Sequence, residues 1–442
     1  MTTICRFAPS PTGFLHVGNI RAAIINFLYA KKTNGKFLLR LDDTDVERVR
    51  DEYREQILRD MDWLGLANDG IFKQSDRLEK YEEAKNKLIA SGRLYECFET
   101  PEELNLQRKS QIVSGHTPIY NRGALKLTQE QKNNFRAQGI KPHYRFFLEN
   151  KTTVWEDKIK GRIAYEGLHF SDPVLVRDNG MPTYTFCSVV DDIECGITDI
   201  IRGEDHVTNT VIQIQIFEAL VAKAPEFSHL ALVQASAGKI SKREGGFDVK
   251  TLRAEGYEPM ALINLLSQIG TSGSLKIHKN FDELVSDFSF GKFSKSATNY
   301  DIGELKNINQ KFLQIVDFSY IAAKGEMFEK ISEKLWNAIK TSVSFLYEVK
   351  EWIEICEEKF RFANKEEDKE FLRQAASLLP LDTIDENCWN IWLNEIKQNS
   401  PRKGKELFAP IRLALTGKEH GPELKFLVNL ISREEIISRL TH

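Results

Sequence analysis

The sequence predicts an α/β fold with a doubly wound parallel sheet, an inserted α+β segment and an all-α C-terminal region. Short apolar runs alternate with stretches of helical periodicity at the start of the chain, and again between about 183 and 233. Between these two stretches, from about 93 to 180, the rhythm changes to short β-like runs. Beyond Gly245 almost only helical periodicity remains, and no repeat period stands out.

The first forty residues carry a strand–helix–strand pattern. Ile4 to Phe7 is a short apolar-rich run, and the Pro/Gly-studded loop A-P-S-P-T-G follows at 8 to 13. Apolar residues recur at helical spacing from Val17 to Lys32, and KFLLRL at 36 to 41 reads as a buried strand. Such a βαβ unit places its loop above the carboxyl end of the first strand, where an open, Rossmann-type α/β sheet binds nucleotides.

The remaining elements follow from the same signals. Before the inserted segment, helices are predicted at about 46–65 and 77–91, the second ending at Gly92. Within the inserted segment the signals are the strands HYRFF at 143–147 and TTVWE at 152–156, and the turn D-N-G at 178–180. The second half of the sheet is predicted as a helix at about 183–194, the strand TDIIRG at 198–203, a helix at about 207–222 and a strand at about 229–233.

Composition describes a folded chain of several domains. The 442 residues are 41% hydrophobic, 10% aromatic and 28% charged, which excludes low-complexity disorder. Sixty-one Lys plus Arg against 64 Asp plus Glu give a net charge of −3, which leans weakly against a nucleic-acid partner. The first ten residues do not resemble a secretory signal, and no apolar run approaches the roughly 20 residues that span a bilayer. We expect a cytoplasmic protein without a membrane partner.

The six cysteines are scattered through the chain, at positions 5, 97, 187, 195, 356 and 388. This distribution suits a reducing compartment, in which each thiol is a small buried hydrophobe. Cys97 has Glu99 two residues on, but no second Cys or His follows at a ligand spacing until His116. We therefore expect no metal site at Cys97.

The first chemical motif is P-S-P-T-G-F-L-H-V-G-N at 9 to 19, across the first strand-to-helix turn. Gly18 leaves room for a base or ribose to approach the backbone. His16 and Asn19 can donate hydrogen bonds to phosphate beside the positive end of the helix dipole. Taken alone, the pattern also fits a capped core helix with a stray histidine.

The second motif is K-I-S-K-R at 239 to 243, flanked by Gly238 and by Gly245-Gly246. A glycine-flanked loop that carries Lys239, Lys242 and an arginine suits negative charge developing on phosphate. A solvated basic loop is the alternative for this motif in isolation. The two motifs are far more specific together, because both fall at strand ends of one sheet.

A third group of polar residues falls around the same rim: Arg6, Ser10, Asp42, Tyr184 and Arg202. A guanidinium at the end of a strand can hold a carboxylate through two hydrogen bonds. Asp42 follows a buried run and could hold an ammonium group. Ordinary surface ion pairs are the alternative reading for both arginines.

These motifs together resemble the glutamyl-tRNA synthetases, class I enzymes with H-I-G-H and K-M-S-K-S signatures. The resemblance covers essentially all 442 residues. It is carried by R-F-A-P-S-P-T-G-F-L-H-V-G-N-I-R at 6–21, L-L-R-L-D-D-T-D at 38–45, P-T-Y-T-F at 182–186, V-V-D-D at 189–192, I-R-G-E-D-H-V-T-N-T at 201–210 and K-I-S-K-R at 239–243.

The resemblance implies a role for each matching residue. Those implied to contact ATP are His16, Gly18, Asn19, Asp205, His206 and Lys242, of which Asp205 and His206 line the adenosine pocket. The catalytic group would be His16, Lys239 and Lys242. Those implied to bind glutamate are Arg6, Ser10, Asp42, Tyr184 and Arg202. The family usually has Glu where this chain has Asp42, so that contact would run through water or a shifted backbone.

The implied reaction has two steps. The α-carboxylate of glutamate attacks the α-phosphorus of ATP and releases pyrophosphate, and the terminal adenosine of tRNA then attacks glutamyl-adenylate. A carboxylate is already a nucleophile, so catalysis reduces to alignment and charge neutralisation. Mg²⁺ would accompany ATP. Some relatives hold zinc through a C-x-C pair, but Glu99 breaks that pattern here, and no structural zinc is expected.

The resemblance also implies a division of the chain into domains, and a monomer. The expected domains are a catalytic domain at 1–92 and 181–240, an inserted acceptor-end-binding domain at 93–180, a connecting stem-contact domain at 241–310 that begins with the K-I-S-K-R loop, and a helical anticodon-binding domain at 311–442. From 311 to 442 there are 20 Lys plus Arg and 22 Asp plus Glu, a balance of −2, so tRNA recognition must use local arrangement of charge.

Five alternatives share part of these signals. Glutaminyl-tRNA synthetases resemble β-barrel proteins in their anticodon-reading part, whereas the last third of this chain is helical by periodicity. A relative that glutamylates a queuosine base lacks that part altogether, and a small-molecule nucleotidyltransferase needs neither the insertion nor the tail. A silent paralogue would not need intact His16, Gly18 and Lys242. A non-discriminating enzyme that also charges tRNA(Gln) stays open.

Overall fold

The computed structural model describes residues 2–235, 247–325, 328, 331–357, 361–381 and 387–442. The chain divides into two compact units. The first unit consists of Met1–Ala254 and Ile263–Asp301, and the second of Glu255–Leu262 and Ile302–His442.

The first unit contains strands and helices in alternation. Its strands are β1 Ile4–Phe7, β2 Lys36–Leu41, β3 Gly70–Lys73, β4 Leu94–Cys97, β5 His143–Phe146, β6 Thr152–Asp157, β7 Gly161–Glu166, β8 Val174–Val176, β9 Asp199–Gly203, β10 Glu226–Leu230, β11 Val233–Ala235 and β12 Thr298–Tyr300. Its α-helices are α1 Val17–Lys32, α2 Asp51–Trp63, α3 Leu78–Ala90, α4 Pro101–Val113, α5 Gln129–Ala137, α6 Tyr184–Glu194, α7 Val207–Ala219, α8 Val249–Ala254, the part of α9 Pro259–Gln268 from Ile263 onward, and α10 Phe281–Asp287. Short 3₁₀ turns lie at Gln74–Arg77, Gly123–Lys126, Gly167–His169, Glu204–His206 and Phe290–Lys292.

The central sheet is parallel and doubly wound, as predicted. β1, β2 and β3 pair in parallel in that order, and β9 pairs in parallel with β10. The two halves meet where Ile4 and Thr198 exchange hydrogen bonds: the Ile4 amide donates to Thr198 Oγ1 at 2.8 Å, and the Thr198 amide donates to the Ile4 carbonyl at 3.0 Å. The strand order is therefore β3-β2-β1-β9-β10, which reverses beside β1, where such sheets bind ligands.

The segment from 93 to 180 contains two different pairings. β4, β5 and β8 form an antiparallel sheet of their own. The β6–β7 hairpin pairs instead with β10, through Asp157 and Phe227, and so extends the central sheet. Trp155 of this hairpin packs with Ile200, Val211 and Phe227 in one apolar cluster. The segment was expected to interrupt the central sheet, but its hairpin joins that sheet. The reason is that the hairpin covers the outer edge of β10, which would otherwise be unpaired.

Most predicted elements of the first unit are confirmed, with shifts at their ends. The helix expected from 46 begins at Asp51, because the preceding residues form a turn in which the Arg48 and Val49 amides donate to the Asp45 carbonyl. The strand expected at 229–233 is two short strands, β10 and β11. Gly92 follows the end of α3 with a φ of +69°, the left-handed conformation expected of a C-terminal glycine.

The described residues of the second unit are helical, as the periodicity predicted. Its α-helices are α11 Ile302–Ile315, α12 Phe318–Ala322, α13 Glu333–Ile339, α14 Val349–Glu357, α15 Lys369–Ser377, α16 Cys388–Asn399, α17 Lys405–Thr416, α18 Leu424–Leu427 and α19 Arg433–Thr441, together with the first residues of α9. Short 3₁₀ turns lie at Leu346–Glu348, Glu366–Asp368 and Val428–Leu430. Trp392 is fully buried in the core of α15 to α19, and its Nε1 donates to the Ala375 carbonyl at 2.8 Å.

Among the described parts of the chain, no helix combines the length and the apolar character that a membrane crossing requires.

Candidate active site

A cleft of about 630 Å³ opens at the carboxyl ends of β1 and β9. Its walls are the loop after β1, the start of α1, the start of α6 and the turn after β9. Nine of the residues predicted from the sequence line it: Arg6, Ser10, His16, Gly18, Asn19, Tyr184, Arg202, Asp205 and His206. The fold therefore brings both arginines and the first motif into one site.

His16 is the N-cap of α1. Its Nδ1 accepts a hydrogen bond from the Gly18 amide at 3.1 Å, and its own amide donates to Asn19 Oδ1 at 3.3 Å. These reciprocal bonds satisfy backbone donors at the helix start. Partial burial lowers the pKa of His16, and the nearby Asp205 opposes that shift. The ring is therefore neutral at pH 7, with its proton on Nε2, available as a donor in the cleft.

Gly18 is needed for this arrangement of His16. A Cβ built at residue 18 would lie 3.0 Å from both Cε1 and Nδ1 of the imidazole. The sequence indicated that Gly18 makes room for a ligand, but the closest constraint is the His16 ring, which folds back over the glycine.

Arg6 reaches the cleft from β1 and is held from behind by a carboxylate. Its Nε and Nη2 donate to the two oxygens of Asp192 at 3.1 and 3.2 Å. Arg40 Nη1 donates to the same Asp192 Oδ1 at 2.8 Å. All three side chains are buried, so this pairing fixes the direction in which Arg6 faces the cleft.

Asp42 does not line the cleft. Its two oxygens accept from Nε and Nη2 of Arg40 at 2.6 and 3.2 Å, and its residue is only 5% exposed. Burial raises its pKa to about 6, against the opposing charge of Arg40. The structure therefore separates Asp42 from the other four residues expected at the glutamate site, because its short side chain turns towards Arg40.

Arg202 is a buried cation without an acidic partner. Its Nη2 donates to Thr210 Oγ1 at 2.7 Å, its Nε approaches Nε2 of His229 at 3.4 Å, and its Nη1 reaches the Tyr184 hydroxyl at 3.5 Å. No Asp or Glu among the described residues forms an ion pair with it. Burial lowers the pKa of the guanidinium, because the buried positive charge is destabilised when no anion lies beside it.

The turn after β9 supplies the remaining wall. The rings of Tyr184 and His206 lie 5.6 Å apart, and burial together with the charge of Arg202 lowers the pKa of His206. Asp205 is exposed and folds back over Gly203, where a Cβ would meet its Oδ1 at 2.4 Å. Gly203 therefore permits the position of the Asp205 carboxylate.

The K-I-S-K-R motif, with Lys239 and Lys242, lies outside the described residues. Val233, which precedes the motif in sequence, lines the cleft, and the ring of Phe247, which follows it, stacks on His16 at a centroid distance of 5.9 Å.

Sequence reasoning missed the residues that support the two arginines. Asp192 stood in the V-V-D-D motif, but nothing in the sequence linked it to Arg6. His229 and Asp157 lie behind Arg202, where Asp157 Oδ2 and His229 Nδ1 are 2.6 Å apart. For Asp157 and His229 the available signal was position near the end of a strand, whereas Asp192 lies within α6.

Cys97 has a neighbour that its sequence spacing did not reveal. β4 and β5 pair Cys97 with His143, and ligand atoms of Cys97, Glu99 and His143 lie within 4.8 Å of one another. The Tyr120 hydroxyl donates to Glu99 Oε1 at 2.6 Å, and burial raises the pKa of the Cys97 thiol to about 12. Three candidate ligands are one short of the four usual in a structural zinc site, so the absence of zinc stays a prediction.

Comparison with known proteins gives matches along the whole chain. Residues 2–307 match the catalytic domain of the class I (E and Q) tRNA synthetases, and residues 310–442 match an anticodon binding domain. Glutamate--tRNA ligase 1 of Rickettsia massiliae is 49% identical over 441 residues, with 99% of each chain covered. Glutamate--tRNA ligase 2 of Orientia tsutsugamushi is 48% identical over 446 residues, covering 100% of this chain and 99% of the relative.

A solved structure agrees with these matches. The glutamate tRNA ligase of Elizabethkingia meningosepticum, in complex with its amino acid, superposes with a TM-score of 0.84 at 26% identity, covering 100% of this chain and 98% of the other. The chain belongs to the class I tRNA synthetases of the glutamate and glutamine group.

Proposed function

We propose that this protein is a glutamate--tRNA ligase that forms glutamyl-adenylate in the cleft and transfers glutamate to the 3′-terminal adenosine of tRNA(Glu). The observation that carries the choice of amino acid is Arg202, a buried guanidinium on the cleft wall with no acidic partner among the described residues. A substrate carboxylate would supply the missing charge, whereas the neutral amide of glutamine would leave the cation uncompensated.

Arg6, Ser10, Tyr184 and Arg202 form the proposed glutamate site. Glutamate carries two carboxylates, and the wall presents two guanidinium groups on neighbouring strands. Asp42 acts behind this wall, through Arg40, which shares Asp192 with Arg6. The ammonium group of glutamate would then be held from the rim of the cleft rather than by Asp42 directly.

His16, Gly18, Asn19, Asp205 and His206 form the proposed ATP site. The start of α1 offers backbone amides and a positive dipole end to phosphate, and His16 Nε2 adds a neutral donor. Lys239 and Lys242 complete this site in the proposal, as cations for the departing pyrophosphate. Mg²⁺, which accompanies ATP, neutralises phosphate charge when bound. Asp205, the one carboxylate among the described cleft residues, fits an ion held mainly by phosphates and water.

The chemistry of activation follows from this arrangement. The α-carboxylate oxygen forms a bond to the α-phosphorus while the bond to the pyrophosphate leaving group breaks, and no side chain needs to remove a proton. The protein aligns the two substrates and stabilises the charge that moves onto pyrophosphate. We propose further that the protein acts in the cytoplasm as a monomer.

The test is charging of purified tRNA(Glu) with glutamate, glutamine and aspartate, by the wild-type protein and by Arg202→Gln. We expect charging with glutamate alone, and a relaxed preference for glutamate over glutamine in the variant. If Arg202→Gln kept the full preference, Arg202 would not determine specificity. The same assay with purified tRNA(Gln) tests the non-discriminating alternative.

A further inference from the structure

Behind Arg202, two buried side chains form a chain of hydrogen bonds that ends at its guanidinium. We propose that Asp157 and His229 are positioning residues, which fix the direction in which Arg202 meets the substrate carboxylate. This inference rests on the proposed role of Arg202 in binding glutamate. Neither residue lines the cleft, so both would act through Arg202.

Asp157 is anchored by backbone amides at the end of β6. Its Oδ1 accepts from the amides of Ile159 and Lys160 at 3.0 and 2.9 Å, and from the amide of His229 at 3.2 Å. Its Oδ2 lies 2.6 Å from His229 Nδ1. Both side chains are fully buried, which makes this contact a fixed one. Burial opposes ionisation of Asp157, but these hydrogen bonds outweigh it and lower the pKa of the carboxyl.

The carboxylate determines which nitrogen of His229 carries the proton. Asp157 Oδ2 can only accept, so Nδ1 must donate, and Nε2 of the neutral ring is left as an acceptor. Burial lowers the pKa of His229, and with the charge of Arg202 it outweighs the hydrogen bond to Asp157, which raises the pKa, so the ring is neutral. Nε2 faces Arg202 Nε at 3.4 Å and Thr210 Oγ1 at 3.0 Å, and both groups can donate to it.

Arg202 is thereby held along one side of its guanidinium. Nε points to His229, while Nη2 donates to Thr210 Oγ1 at 2.7 Å and approaches the His206 carbonyl at 3.4 Å. Nη1 is directed to Tyr184, on the cleft wall. The hydrogen bonds thus orient the guanidinium so that Nη1 faces the substrate, and the ionised Asp157 lies one ring behind the buried cation.

This arrangement gives the β6–β7 hairpin a role at the site. Pairing of the hairpin with β10 brings Asp157 behind His229, and β10 also pairs with β9, which carries Arg202. The register places His229 directly beside Arg202. The positioning chain therefore runs across three adjacent strands.

The first test is Asp157→Asn in the full-length enzyme. The amide oxygen can keep the backbone contacts, but the amide nitrogen would donate to His229 Nδ1 and move the ring proton to Nε2, opposite Arg202 Nε–H. We expect the KM for glutamate to rise about tenfold, with the KM for ATP unchanged and discrimination against glutamine weakened. The ¹⁵N shifts of His229 should report a proton on Nδ1 in the wild type and on Nε2 in the variant.

A matched pair at His229 separates positioning from packing. His229→Gln can place an acceptor near the position of Nε2, whereas His229→Leu cannot. We expect the KM for glutamate to stay close to the wild-type value in His229→Gln and to rise in His229→Leu, with both measured below the melting temperature of the less stable variant. Equal KM values in the two variants, or an unchanged KM in Asp157→Asn, would overturn the inference.

Arg202→Gln distinguishes the two levels of the argument. If Arg202→Gln raises the KM for glutamate but the Asp157 and His229 variants do not, only the positioning inference fails. If Arg202→Gln itself leaves glutamate binding and selectivity intact, the proposed role of Arg202 fails.

Discussion

Arg6 and Arg202 reach the cleft from neighbouring strands, but their charges are balanced in different ways. Arg6 shares Asp192 with Arg40 in a buried ion pair. Arg202 has neutral partners, His229, Thr210 and Tyr184, and a carboxylate only one residue further away. Of the two, Arg202 therefore gains more from a bound anion, and we assign amino-acid selectivity to it.

The cleft residues were predictable from the sequence because β1 and β9 carry them to the same sheet edge. The supporting residues were not, since Asp192 meets Arg6, and Asp157 meets the His229 beside Arg202, only after distant segments pack together. For Asp42 the resemblance implied a contact with the substrate, but in the structure its side chain accepts hydrogen bonds from Arg40, two residues earlier.

At Gly18, we predict that a single methyl group disturbs ATP binding. In Gly18→Ala the new Cβ would lie 3.0 Å from the His16 ring, so the ring would shift by a few tenths of an ångström and its contact with the Gly18 amide would weaken. The expected result is an increase of roughly fivefold in the KM for ATP, about 1 kcal/mol. Gly273→Ala is the control, because nothing lies within 4 Å of its added Cβ. An unchanged KM for ATP would contradict the role given to His16.

At Lys242, we predict an effect on chemistry rather than on glutamate binding. A preorganised cation facing the leaving pyrophosphate contributes about 3 kcal/mol, so Lys242→Ala should slow adenylate formation roughly a hundredfold. The KM for glutamate should change much less. Pre-steady-state measurement of adenylate formation tests this, and an unchanged rate would remove Lys242 from the catalytic group.

At the scale of elements, burial explains both the agreement and the differences. α1 and KFLLRL were predictable because their apolar residues follow the periodicity of the element. The strand with which the β6–β7 hairpin pairs was not predictable, because the local sequence pattern does not determine which strand edge a hairpin covers. The short parallel pair β11–β12 joins segments far apart in sequence and was missed for the same reason.

α2 and α8 meet at a buried carboxylate that should make stability depend on pH. Asp60 accepts from Gln56 Nε2 at 2.7 Å and lies 3.4 Å from Arg253 Nη1, but burial raises its pKa to about 6. Because folding raises this pKa, the folded state favours protonated Asp60. The contribution of Asp60 to the free energy of unfolding is therefore fully present below about pH 4 and is lost as the pH rises through about 6. At pH 7 the wild type therefore buries an ionised carboxylate at residue 60, which lowers its free energy of unfolding, whereas the neutral amide of asparagine would not.

We accordingly predict that Asp60→Asn raises the free energy of unfolding relative to the wild type by roughly 2 kcal/mol at pH 7, and by much less at pH 4. Denaturant unfolding at both pH values measures the difference. Asp62→Asn, at an exposed position of the same helix, is the matched control. A gain for Asp60→Asn that does not change with pH would show that titration of Asp60 is not its cause.

At the scale of the whole molecule, near-neutral charge does not exclude a tRNA partner. The net charge of −3, and the balance of −2 from 311 to 442, mean that tRNA binding cannot rest on a general basic excess. Membership of the family rests instead on matches that extend over residues 2–307 and 310–442.

The metal content of the whole protein tests a second expectation. We predict that the purified protein holds no stoichiometric zinc, and that a chelator leaves its melting temperature unchanged. The reason is that Cys97, Glu99 and His143 supply only three ligand groups, and two of them, Cys97 and Glu99, already contact the Tyr120 hydroxyl. Elemental analysis of the purified protein measures this. One zinc per chain, with a lower melting temperature after chelation, would show that the cluster is a metal site.

The most direct test of the central claim is isotope exchange between pyrophosphate and ATP. The wild-type protein should catalyse exchange that depends on glutamate, measured with and without tRNA(Glu). Glutamine in place of glutamate should give no more than background exchange. Exchange that proceeds equally well with glutamine, or no exchange with glutamate, ATP and tRNA(Glu) all present, would contradict the account.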